Sequence, residues 1–221
     1  MKNKLPKICY WCGIPLTIET IQREHVPPLT FFPKGYRNDL MTVPSCKEHN
    51  NSFSELDEKF QLVVKLFRTN DVAEKDLFDR VMRGLSRKEK KRFLTSLDNK
   101  TRIGNINGEP FMILEFEKGE PELFIEKIIR GIYFYHSEKI AKGIIESVSK
   151  RIKYDKLNTV AIVDYLVKDL NSEILKEGDY SNPKVFKYQF LEFEGMFVIF
   201  MQFYENVEFI GCVFPEGFSF D

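Results

Sequence analysis

The chain has 221 residues, 43% hydrophobic and 30% charged, and its 33 basic side chains are balanced by 33 acidic ones. That is ordinary globular composition for one substantial domain or two small ones, and a formal charge of zero excludes a global field that would draw the protein onto nucleic acid or an acidic membrane. No run reaches the roughly 18 apolar residues of a membrane span, and the start Met1-Lys-Asn-Lys-Leu-Pro-Lys7 lacks the apolar stretch of a signal peptide, so a soluble cytoplasmic protein is expected.

Residues 1–50 carry Gly13, Pro15, Pro27, Pro28, Pro33, Gly35 and Pro44, which predicts short strands and loops that need a staple. Leu40–Val43 reads as a strand, with Ile18–Ile21 as its partner. From Ser52, Phe53, Leu56, Phe60, Val63, Val64 and Phe67 recur at three- and four-residue spacing and predict an apolar helical face. Asp71–Leu85 and Ser86–Leu97 read as two short helices, each opening with the spacing of a capping box. Asn107-Gly108 predicts a hairpin over 103–116. Glu120–Ser149 returns to helix, bent near Tyr135–Ser137, and Asn158–Leu175 is a further helical stretch. Lys184–Glu192, Met196–Tyr204 and Val207–Val213 read as a three-stranded antiparallel meander with turns at Glu194-Gly195 and Glu205-Asn206. The expected fold is α+β: an N-terminal metal-stapled module over 1–70 and an α+β body over 71–221 for substrate choice, dimerisation or partner binding.

Three of the four cysteines and two of the three histidines fall between Cys9 and Asn50. Cys9-x-x-Cys12 and Cys46-x-x-His49 each let two ligands point at one ion from a tight turn, so a closed Cys3His structural zinc site is expected. Four cysteines are too few for a disulfide framework in a chain of this size, and Cys212, in an apolar strand-like stretch, reads as a buried core thiol. A closed zinc site has no open position for water, so chemistry has to lie beside it. His25 can accept a proton at neutral pH, and Val26-Pro27-Pro28 holds it extended at a strand end. Glu24 offers a hard oxygen for Mg²⁺ or Mn²⁺, although neighbouring side chains of a strand face opposite ways unless a bulge intervenes. Asn50, fixed by the preceding zinc ligand, offers a second oxygen, and Asp57, seven residues on, lies on the same helical face and binds the metal directly or through water.

A ligand pair, an acidic-His-x-x-Pro element and a second ligand pair followed at once by Asn resemble the HNH, or ββα-metal, endonucleases. The acidic-His pair with a terminal Asn is similar to the endonuclease VII branch. The longer string Glu24-His-Val-Pro-Pro28, Phe32-Pro33, Thr42-Val-Pro-Ser-Cys46 and Asn50-Asn-Ser-Phe-Ser54 resembles a group of bacterial HNH proteins with an Asp-His-Val-Pro-Pro signature. The likeness covers about residues 9–60 and is faint around Ile129-Arg-Gly-Ile-Tyr133. It implies His25 as general base, Glu24 and Asn50 as ligands of one Mg²⁺ or Mn²⁺, and Cys9, Cys12, Cys46 and His49 as structural zinc ligands. It further implies hydrolysis of DNA to 5′-phosphate and 3′-hydroxyl ends, in defence against foreign DNA or as a toxin. Glu24 stands where Asp is more usual and His49 where a fourth cysteine is commoner; Asn38 is the candidate for the Asn that orients the base.

Lys34 and Arg37, in the loop between base and metal helix, are expected to contact the nucleic-acid backbone. The basic run Arg87, Lys88, Lys90, Lys91 and Arg92 either joins them or is a solvated helix face. His136, among Tyr133, Phe134 and Tyr135, reads as a structural histidine. The expected partner is DNA, with a homodimer or an activating subunit allowed for and no membrane. The competing expectation is a non-catalytic zinc module that binds nucleic acid or protein.

Overall fold

The computed structural model describes residues 5–67, 70–84, 95, 101–106, 109–149, 176–178 and 182–219. The first strand, β1 (Gln22–His25), pairs antiparallel with β2 (Thr42–Ser45) in the register Glu24↔Val43 and His25↔Thr42. Both strands begin later in the chain than the sequence pattern suggests. Thr17 and Thr20 explain this for β1: each hydroxyl accepts from the other residue's backbone N–H, at 2.9 and 3.3 Å, and Ile21 N donates to Thr17 O at 3.0 Å. These bonds hold a turn where a strand was expected. A cis Val26-Pro27 bond leads into a 3-10 turn, Leu29–Phe31, whose Phe31 is buried.

The short α1 (Lys47–Asn51) follows β2, and Ser52 and Phe53 separate it from α2 (Ser54–Leu66), which buries Phe60, Val63 and Val64 as the spacing requires. Next comes α3 (Asp71–Gly84), close to its expected bounds, but its N-cap is Asn70, whose Oδ1 accepts from Ala73 N at 2.9 Å. Of the helix expected over 86–97, only Thr95 is described, and it is helical. The hairpin of β3 (Thr101–Ile106) and β4 (Glu109–Leu114) is present with Ile106 opposite Glu109; its Asn107-Gly108 turn lies outside the described residues.

The longest helix among the described residues, α4 (Glu120–Ser137), stops at Glu138, which adopts a left-handed φ of 59° while its N–H still bonds Phe134 O. The helix was expected to run to Ser149. Instead Ile145–Ser149 is a strand, β5, zipped along β9; an edge pairing of this kind overrides local helical periodicity. The strands β6 (Lys176–Glu177), β7 (Phe186–Phe193), β8 (Met196–Phe203) and β9 (Val207–Val213) complete an antiparallel sheet in the order β5-β9-β8-β7-β6. The expected meander is its centre, and Glu194-Gly195 turns it with two positive φ angles, 49° and 80°. The helix expected over Asn158–Leu175 lies outside the described residues.

This α+β arrangement shares one core. A buried cluster runs from Tyr10, Val26, Phe31 and Phe32 through Phe60 and Val64 to Phe124–Ile132 of α4 and Phe186, Phe203 and Val213 of the sheet. Gly131 lets α4 close on the end of β1: a Cβ there would stand 2.5 Å from Val26 Cγ2. His136 is structural as expected, its Nε2 2.9 Å from Tyr188 Oη and its ring against Phe190. Cys212 is buried, and burial pushes its thiol up to about 12. No helix among the described residues is long and apolar enough to cross a membrane.

Candidate functional site

Cys9, Cys12, Cys46 and His49 come together, with their donor atoms all within 4.8 Å of one another. His49 Nδ1 lies 3.1 Å from Cys46 Sγ and 3.9 Å from Cys9 Sγ. Those separations bracket the edge of about 3.6 Å expected for a tetrahedron of zinc–sulfur and zinc–nitrogen bonds. The local backbone builds this geometry from both sides. Gly13, at φ 78°, closes the first turn by donating to Cys9 O, and Tyr10 N donates to Pro44 O, which fastens the turn to β2. On the other side Cys46 caps α1, its sulfur accepting from His49 N. Burial raises the Cys9 thiol, but hydrogen bonds from the backbone of Cys12, Cys46 and Trp11 outweigh it and bring the pKa below the ordinary value. Cys12 is pushed up to about 11 by burial and by its neighbour Cys9. The donor set and spacing fit zinc. Trp11 stacks on His49 and takes the Arg130 guanidinium on its ring at 4.8 Å, tying the cluster to α4.

At the far end of β1, Glu24 is buried while His25 is half-buried, and the register runs through both without the bulge that would turn them to one face. Glu24 meets an unexpected partner. Lys127 of α4, 1% exposed, places its Nζ 2.8 Å from Glu24 Oε1 and 2.6 Å from Asp57 Oδ2, with the Phe53 ring at 5.1 Å. Two carboxylates thus converge on one ammonium and leave a formal charge of minus one. Burial raises the pKa of both carboxyls despite Lys127. Asp57 Oδ1, Asn50 Oδ1 and the Tyr10 hydroxyl are buried without a hydrogen-bond partner among the described residues, and Tyr10 is held well above its ordinary value by burial and by the charges of Glu24 and Asp57.

Burial and the charge of Arg37 lower the pKa of His25 and so favour its neutral form. Its side chain makes no hydrogen bond among the described residues, to Asn38 or any other. Asn38 is exposed and its carbonyl accepts from Asn182 Nδ2 at 3.1 Å. Lys34 and Arg37 are exposed in the loop between His25 and the metal helix, while Arg87, Lys88, Lys90, Lys91 and Arg92 lie outside the described residues.

A second buried lysine, also not foreseen, lies on α2. Lys65, 0% exposed, donates to Asp76 Oδ2 and Gln61 Oε1, each at 2.6 Å. Burial, then repulsion from Arg80, lowers it from 10.5 to about 8 against the attraction of Asp76. Between those two values the folded chain binds fewer protons than the unfolded chain, so stability should rise with pH across that window, by at most about 3 kcal/mol. Melts of wild type and Lys65→Met between pH 7 and 10 isolate this contribution. The difference should shift in favour of the wild type as pH rises, and a flat difference would refute it.

Comparison with protein-family models, with curated proteins and with solved structures finds no match to this chain.

Proposed function

We propose that this chain is a zinc-stapled HNH-type endonuclease that hydrolyses DNA phosphodiester bonds, with His25 as general base. The observation that carries the reading is the placement of His25: a neutral, half-buried imidazole without a hydrogen-bond partner among the described residues, at the end of a strand locked to the Cys3His cluster through β2 and α1. In this role the imidazole takes a proton from water as the water oxygen bonds to phosphorus and the bond from phosphorus to the 3′ oxygen breaks. The leaving oxygen takes a proton from solvent and the imidazolium returns its own to solvent, giving 5′-phosphate and 3′-hydroxyl ends.

Glu24, Asn50 and Asp57 also suit a hard divalent ion: they offer oxygen donors, a residual negative charge, and two buried oxygens without partners, Asn50 Oδ1 and Asp57 Oδ1. Mg²⁺ or Mn²⁺ bound there would neutralise charge developing on the phosphate. Lys127 already engages one oxygen of Glu24 and one of Asp57, so such an ion would draw on Asn50 and the remaining carboxylate oxygens.

The same lysine favours the second reading, a non-catalytic zinc module for nucleic acid or protein, because it serves the charge of the pair without a metal and because Glu24 and His25 face opposite ways on an unbroken strand. Plasmid and single-strand cleavage with Mg²⁺ or Mn²⁺, beside His25→Ala with zinc content measured on both, separates the two. Cutting that falls by about 10²- to 10⁴-fold in the variant at unchanged zinc supports the nuclease. Equal cutting by the variant, or none by the wild type on any substrate, sinks it.

A further inference from the structure

The 3-10 turn that follows His25 is gripped by cations from three segments. Thr30 O accepts from Lys65 Nζ of α2 at 3.3 Å and from Arg80 Nη2 of α3 at 2.8 Å, and Phe32 O accepts from Arg37 Nε at 2.9 Å. The carbonyl between them, on Phe31, accepts from the Tyr204 hydroxyl. Among the described residues one carboxylate is paired with these cations: Asp76 Oδ2 receives Lys65 Nζ and Arg80 Nε, each at 2.6 Å. Two guanidinium groups and one ammonium against one carboxylate leave a formal charge of plus two. The excess is felt inside the cluster, since the lowering of Lys65 owes part to Arg80 and Arg37, and Arg37 is also the charge that acts on His25. Three groups there have hydrogen-bonding capacity to spare among the described residues: Nη1 and Nη2 of the exposed Arg37, Nη1 of the partly exposed Arg80, and the buried, unpartnered hydroxyl of Thr30.

The surroundings of β1 are therefore electrically two-sided. Glu24 belongs to a buried pair of carboxylates that share one ammonium and keep an excess of negative charge, and the residues after His25 lead to a cluster with an excess of positive charge. We propose that Arg37 and Arg80 form an anion subsite that takes a phosphate group of a nucleic-acid strand beside His25. The inference rests on the nucleic-acid reading above and adds the residues that hold the substrate. Guanidinium groups suit this ligand because their fixed N–H forks match pairs of phosphate oxygens. Lys65, saturated and buried, contributes charge and holds the turn in place.

The test uses zinc-loaded full-length His25→Ala without added divalent ion, so that binding is read apart from cutting. A fluorescent single-stranded DNA oligonucleotide is titrated at several salt concentrations, alone and with Arg37→Ala, Arg80→Met or, as control, Lys187→Ala on the exposed side of β7. Each arginine change should weaken binding about tenfold and flatten the salt slope by about 0.7, while the control leaves both unchanged. Inorganic phosphate should shift the Arg37 Nε–H resonance in a saturable way that equal chloride does not reproduce. Arg80→Met removes a partner of Asp76, so if that variant does not fold, Arg37→Ala and the phosphate titration decide alone. Unchanged affinity and slope in Arg37→Ala overturn the subsite, even where wild-type protein cuts DNA. Arginine-dependent binding by a chain that never cuts keeps the subsite and removes the nuclease.

Discussion

Protein purified with its metal should carry one zinc per chain, and stripping that zinc, or replacing Cys46 with Ser, should cost more stability than any other change considered. The elements the cluster fastens are small: two four-residue strands, a five-residue helix and a turn closed at Gly13. Segments of that size do not hold themselves, and a structural zinc supplies on the order of 10 kcal/mol to such a fold. The loss would not stay local. Tyr10, one residue from Cys9, is fully buried in the cluster that reaches α4 and the sheet, and Trp11 joins His49 to Phe53 and Arg130. In a chain of this length 1 kcal/mol corresponds to a few degrees of melting temperature, so metal removal should lower it by about 20 °C or more. Metal analysis and calorimetry before and after chelation check this. An unchanged melt after complete removal of the metal would show that the four ligands are not a structural staple.

Much of this architecture is written locally. The paired x-x spacings mark the ligand cluster because four donors must meet at one ion, and the aromatic meander and the Phe60–Val64 face follow from strand and helix periods. What escapes local reading depends on partners distant in sequence. Ile145–Ser149 is a strand because β9, some sixty residues on in the chain, offers an edge to it. Lys127 did leave a signal: it stands on α4 between Phe124, Ile125, Ile128 and Ile129, all buried, where a charged residue at a core position calls for a buried counter-charge. Lys65, four residues after the buried Gln61 and beside Val64, left the same signal on α2. Neither position names its partner, since Glu24 and Asp57 meet Lys127 only through the packing of α4 on the strand pair and on α2. The Glu24-His25 motif alone could not show that its acid faces an ammonium.

Replacing that ammonium is the second large effect expected. Lys127→Met keeps most of the side-chain volume but leaves Glu24 and Asp57, each about nine-tenths buried, facing one another without a cation. Removing one partner of a buried ion pair costs about 3–5 kcal/mol, because the residual charge stays desolvated, and that corresponds to a fall of about 6–20 °C in melting temperature. Both carboxyls already sit above their ordinary pKa with the lysine present, so without it they would take up protons more readily still. Adding Glu24→Gln or Asp57→Asn to Lys127→Met should return much of the loss, a pattern that simple loss of packing would not give. Mn²⁺ reports separately on what the position accepts. A divalent ion able to take the place of the ammonium should raise the melting temperature of Lys127→Met by more than that of the wild type, since only binding to the folded state stabilises it. Equal shifts in both proteins would mean that the ion does not take the place of the ammonium between these carboxylates. A Lys127→Met melt within about 1 kcal/mol of wild type would mean that the ammonium is not what holds α4 to the strand pair.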